Sequence, residues 1–113
     1  MKGKAKYLTT EQLKALELFK KRVSDLYSIS SVIVFGSAAR GEAEEDSDLD
    51  VLLITKKQLA HKERHDVYNI ATKLNWEFDT NISVTIVDKS SWEHGLYSIM
   101  QIKEEVQQDG VAI

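Results

Sequence analysis

A chain of 113 residues with a formal net charge of −3 suits one domain with a real core and lacks the broad basic face of an extended nucleic-acid binder. It contains no cysteine, which excludes disulfides, thiolate metal sites and cysteine nucleophiles. No apolar run is long enough to span a bilayer, and the opening MKGKAKYLTT has three lysines with no apolar stretch behind them, so it does not read as a secretory signal and a cytoplasmic protein is the default expectation.

Residues 1–8 read as a loose tail on a single domain covering 1–113. Thr9 and Gln12 then fit a capping box. Apolar residues recur at Leu13, Leu16, Val23 and Tyr27, with Phe19 and Leu26 beside them, which predicts an amphipathic helix over roughly 10–27. Val32-Ile33-Val34-Phe35 is short, β-branched and bounded by serines and a glycine, the signature of a buried strand. Gly36 to Leu49 is a small, acidic, polar stretch. Asp50 to Ile54 forms a second apolar strand. A helix follows over roughly 57–74, with Leu59, Val67, Ile70, Ala71 and Leu74 inward. Ile82 to Val87 is a third strand. Ser90 and Glu93 suggest a helix cap, and a last helix runs through Ile102 to Gln108, with Gly110 just past its end.

The order α-β-loop-β-α-β-α implies an α/β (α+β) layered domain, with about three core strands flanked by helices. Gly36-Ser37 ends the first strand, whereas Asp48 and Asp50 begin the second. If these strands are neighbours and both ends line one site, they run antiparallel, so the sheet is mixed or antiparallel.

Asp48 and Asp50 are two apart, so their side chains share a face while Leu49 and Val51 point into apolar packing. Two adjacent ionised carboxylates repel and are best tolerated with a cation between them. Oxygen ligands without His or Cys favour Mg²⁺ or Mn²⁺. A glycine after a strand lets the backbone approach a ligand, and exposed N–H groups with the Ser37 hydroxyl suit phosphate oxygens. Arg40 adds a planar cation able to pair with phosphate.

Gly36-Ser37, ten intervening residues, then Asp48-Leu49-Asp50-Val51 resembles the signature of the polymerase-β-like nucleotidyltransferase superfamily. The fuller string GSAARGE…DSDLD is similar to its minimal, single-domain branch. The resemblance implies the nucleotidyltransferase fold and a Mg²⁺-dependent transfer of NMP from a nucleoside triphosphate, ATP being the expected donor, to a hydroxyl acceptor. It implies Asp48 and Asp50 as catalytic metal ligands, and Gly36 and Ser37 as the triphosphate cradle, with Arg40 and Ser47 as further nucleotide contacts. The family places a third carboxylate on the next core strand. That position falls at Ser83, which cannot serve as a comparable base. Asp79 has the same strand parity upstream and is the substitute if the strand begins early; Asp88 has the opposite parity at the far end.

Other features have plainer readings. Glu42, Glu44, Glu45 and Asp46 read as a solvated loop. Asp46 to Asp50 imitates the start of an EF-hand, but Val51 and Lys57 occupy the positions that need glycine and glutamate. His61 and His65 read as a solvated helix face, and Trp76, Phe78 and Trp92 as core or rim packing, with a partner surface as their alternative.

The alternative to an active enzyme is an antitoxin-like or regulatory nucleotide-binding module with impaired catalysis, acting on a small helical (HEPN-type) partner. Shortness and the doubtful third carboxylate motivate it. A homo- or hetero-oligomer is expected, since so small a domain carries half a substrate site. An antibiotic-modifying enzyme is disfavoured by the missing second domain, and a DNA polymerase by size and acidic balance.

Overall fold

The computed structural model describes residues 7–42, 48–95 and 100–113. Helix α1 (Thr10–Leu26) opens on the expected capping box. Thr9 Oγ1 accepts from the Gln12 N–H at 3.1 Å, and Gln12 Oε1 accepts from the Thr9 N–H at 2.9 Å. The helix buries Ala15, Leu16, Phe19 and Val23. The tail reading fails at its last two residues: Leu8 is buried in the same core, and Tyr7 lies against Gly41.

Four strands form the sheet among the described residues: β1 (Ile29–Phe35), β2 (Leu49–Thr55), β3 (Ile82–Asp88) and β4 (Val111–Ala112). Their order is β3-β2-β1-β4, with β1 antiparallel to both β2 and β4, and β2 parallel to β3. The sheet is therefore mixed, as expected, and wider by β4, a two-residue strand too short to show a period.

Side-chain alternation sorts the residues onto two faces. Val32, Val34, Leu49, Val51, Leu53, Ile82 and Ile86 pack with α1 and with α3 (His61–Phe78). Phe35, Leu52, Ile54 and Val87 point the other way. They meet Trp92 of α4 (Lys89–His94), and Ile102 and Val106 of α5 (Gln101–Asp109). Asp50 has the parity of Leu52 and belongs to this second, more thinly covered face.

The starts of two helices differ from expectation. Helix α3 starts four residues later than 57, because Thr55 Oγ1 donates to the Lys57 carbonyl at 2.6 Å and Glu63 Oε1 accepts from the Ala60 N–H at 2.8 Å, closing a turn before the helix begins. Leu59 is buried from that turn. The α4 cap is Asp88, whose carboxylate accepts from the Ser91 N–H at 3.0 Å and the Ser91 hydroxyl at 2.7 Å. These bonds hold the Asp88 carboxyl below the ordinary carboxylate range. Gly110 does follow α5, but with φ −61 rather than a left-handed turn. A Cβ there would fall 2.3 Å from the Val106 carbonyl oxygen, so close packing requires the glycine.

Asn75 ties α3 to the start of β3. Its Oδ1 accepts from the Ile82 N–H at 2.8 Å and the Thr80 hydroxyl at 2.9 Å, while its Nδ2 donates to the Ile82 carbonyl at 3.2 Å. This side-chain amide imitates a neighbouring strand and sets where β3 enters the sheet. Asn75→Ala removes all three bonds and leaves half-buried backbone groups unpaired. It is expected to cost about 2–3 kcal/mol, measured by denaturant unfolding.

Candidate active site

Phe35 is the register partner of Asp50, and Asp50 is the register partner of Ser83. Three adjacent strands therefore bring one row to the same end of the sheet: the turn leaving β1, the carboxylates opening β2, and the Ser83 hydroxyl on β3. The turn depends on Gly36, which has φ 77 and ψ −158 and lies against Asp50. A Cβ at position 36 would stand 2.6 Å from Asp50 Oδ2. Glycine is thus required twice, by the dihedral and by the carboxylate.

A four-residue helix, α2 (Ser37–Arg40), follows and was missed in the sequence because it is shorter than a helical period can reveal. Buried Ala38 anchors it, and the Glu42 N–H donates to the Ser37 carbonyl at 2.9 Å to close its end.

Asp48 is exposed and Asp50 partly buried. Burial chiefly raises the Asp50 pKa; the charges of Asp48 and Glu105 add to this, and Arg40 opposes it. A carboxylate strained in this way gains from a bound cation. No third His, Asp or Glu joins the pair as a metal-holding cluster among the described residues. Two carboxylates with open space beside them fit Mg²⁺, which keeps waters and takes substrate phosphate rather than entering an all-protein cage.

Arg40 is placed differently from the phosphate-facing expectation. Its Nη1 lies 3.0 Å from Asp109 Oδ2 and its Nε 3.4 Å from Glu42 Oε1. The hydrogen bond that the guanidinium donates to the Asp109 carboxylate raises its pKa further. Glu42 is exposed, as expected, but engaged. Ser47, Glu44, Glu45 and Asp46 lie outside the described residues.

Asp79 does not extend β3. It ends α3 in the left-handed conformation, with φ 54, and β3 begins only at Ile82. Strand parity does not carry through such a residue, so Asp79 is off the ladder. Ser83 occupies the register position beside Asp50 and is exposed. Asp88 sits at the opposite end, paired with Thr55. His61 and His65 are exposed on α3. Phe78 and Trp92 pack at the core margin, whereas Trp76 is 86% exposed and corrects the packing reading for that residue.

The sequence reading missed the contribution of α5. Ile102, Glu105, Val106 and Asp109 recur at helical spacing, so the stripe that buries Val106 against Phe35 also carries two carboxylates toward the site. Their spacing was visible; the sheet face on which the helix docks was not.

Gly36→Ala forces a non-glycine residue to positive φ and drives a methyl group into Asp50. It is expected to destabilise the fold by about 1–3 kcal/mol, read by thermal or denaturant unfolding. Asp50→Asn is expected to do the reverse in chelator-treated protein. A raised folded-state pKa means that ionised Asp50 opposes folding at neutral pH, and that this penalty fades as pH falls toward the ordinary carboxylate value near ~3.9. The variant should melt higher at pH 7, the gap should close on acidification, and divalent cation should raise the wild type alone.

Residues 16–109 match the family model of the nucleotidyltransferase domain. MJ0141 of Methanocaldococcus jannaschii, named as a candidate protein adenylyltransferase, is 35% identical over 82 residues, covering 71% of this chain and 83% of that protein. A solved structure described as a candidate minimal nucleotidyltransferase superposes with a TM-score of 0.56 at 26% identity, over 89% of this chain and 95% of that one. A chain from the complex of a tri-AMPylated HEPN toxin with MNT antitoxin, from Shewanella oneidensis, shares the fold with a TM-score of 0.51 at 20% identity, over 91% and 71% of the two chains. The glycine turn, the paired aspartates and the mixed sheet that joins them are accordingly those of a family member: the chain belongs to the nucleotidyltransferase domain family.

Proposed function

We propose that this domain is a Mg²⁺-dependent protein adenylyltransferase that moves AMP from ATP to a hydroxyl on a small helical, HEPN-type partner. The observation that carries the reading is the row formed by the Gly36 turn, the Asp48–Asp50 pair and the open face beside Ser83. The similarity to MJ0141 supports adenylyl transfer to protein, and the fold shared with the AMPylated toxin complex supports the class of partner.

In this reading the Gly36-Ser37 turn and the leading N–H groups of α2 hold the triphosphate, because the first turn of a helix has donors without intrahelical partners. Asp48 and Asp50 hold Mg²⁺, which when bound neutralises charge on the phosphates. Arg40, fixed by Asp109 and Glu42, tempers the negative field around Asp50. The acceptor surface comes from the partner, as the fold shared with the AMPylated toxin complex suggests. Among the described residues no helix is long and apolar enough to cross a membrane.

Ser83 specifically favours a second reading, a nucleotide-binding antitoxin that masks its partner without turnover. With serine beside Asp50, the acceptor proton has no carboxylate to receive it and passes to water. A positioned general base is typically worth about 10²–10⁴-fold. Intact-mass measurement of a HEPN-type protein incubated with the domain, ATP and Mg²⁺ is expected to show added AMP. Asp48→Asn or Asp50→Asn should abolish it, and Ser83→Asp should accelerate it by roughly 10²-fold. Nucleotide binding without transfer, in both the wild type and Ser83→Asp, would establish the masking reading instead.

A further inference from the structure

We propose that Ser83 is itself an acceptor, so that the site adenylylates its own β3 hydroxyl. The inference rests on the adenylyltransferase reading and goes beyond it by naming an acceptor within the chain.

The geometry is a register argument. Phe35, Asp50 and Ser83 are consecutive partners across β1, β2 and β3, and Gly36 follows Phe35 directly. The phosphate turn, the carboxylate and the hydroxyl therefore stand in line, with neighbouring strands roughly 4.8 Å apart. Matched register puts Asp50 and Ser83 on one face of the sheet. Ser83 is exposed while Ile82, Ile86 and Val87 of the same strand are buried. Its side chain makes no hydrogen bond to another described residue, so the hydroxyl is not committed elsewhere among them. Thr85, the next hydroxyl on this face, is the register partner of Leu52, beside the second apolar cluster. A hydroxyl is also the acceptor class of the proposed reaction.

The step balances without an added reagent. Ser83 Oγ attacks the α-phosphorus of ATP and forms the new P–O bond. The bond from that phosphorus to the oxygen bridging to the β-phosphate breaks, and pyrophosphate leaves with the electron pair. The hydroxyl proton passes to water at the exposed end of the strand. The products are Ser83-O-AMP, pyrophosphate and a proton.

The test incubates the full chain with ATP and Mg²⁺, followed by intact mass and peptide mapping. Expected is an increment of one AMP mapping to Ser83, formed with a rate constant independent of protein concentration. It should be retained in Ser83→Thr and lost in Ser83→Ala and Asp48→Asn. A parallel incubation with a HEPN-type protein separates the two readings. AMP on that protein with none on Ser83 overturns self-modification and leaves the adenylyltransferase reading standing. AMP on neither overturns both, and an undiminished increment in Ser83→Ala overturns the assignment to this residue.

Discussion

The Asp50 carboxylate occupies the space where any side chain at position 36 would begin. That contact ties the end of β1 to the start of β2 at atomic distance, and it works only because residue 36 has no Cβ and sits at φ 77. Much of the site follows from it. The antiparallel register places Phe35 opposite Asp50, and the Phe35 side chain points to the face that Val106 covers. Val106 docks α5, and one turn further along that helix Asp109 reaches Arg40 in the helix that the glycine turn launches. The same docking brings the charge of Glu105 to bear on Asp50. Turn, carboxylate and helix thus constrain one another, and the consequence is an Asp50 whose ionised form is disfavoured by burial and by its acidic neighbours.

The two faces of the sheet divide the work. On one, α1 and α3 bury a continuous apolar layer that includes Leu16, Phe19, Val51, Val67 and Leu74. On the other, among the described residues, α4, α5 and a smaller cluster cover the strands, and Asp48 and Ser83 at the end of the sheet are exposed. A strained, partly desolvated carboxylate persists because packing on the first face over-determines the strand that carries it, a common arrangement where a site stores strain. Asn75 extends this logic to β3, since its amide fixes where the third strand begins and hence which residue stands beside Asp50.

The strands and the paired aspartates were legible in the sequence because a period of two and a glycine-bounded β-branched run are local signals. The antiparallel pairing of β1 with β2 also followed, from requiring both motif halves to share an end. What stayed hidden depends on contacts between distant residues or on single dihedrals. Asp79 shares the parity of Ser83 and would join the ladder had β3 begun early, but its left-handed conformation takes it off the strand. The start of α3 moved because Thr55 and Glu63 close a turn whose bonds no apolar pattern records. The Arg40–Asp109 pair spans 69 residues, and neither partner announces the other. Helix α5 itself was found, but its docking face, and so the approach of Glu105, depends on β1 already being in place.

Serine at position 83 is a subtraction in one respect, since a hydroxyl stands where a carboxylate was expected beside Asp50. The electrostatics give it a second side. A carboxylate there would stand in register with Asp50, which already feels burial, Asp48 and Glu105. Like charges that close raise one another's pKa and oppose folding when the site is empty. The neutral residue lowers that repulsion in the cation-free protein, and leaves Asp50 as the partly buried charge at the row's centre. A domain whose charge already strains this end of the sheet therefore folds more easily with serine than with aspartate at position 83. The exchange also changes what the third strand offers: where a carboxylate could accept a proton, serine presents a hydroxyl, in register with Asp50 and one strand spacing away.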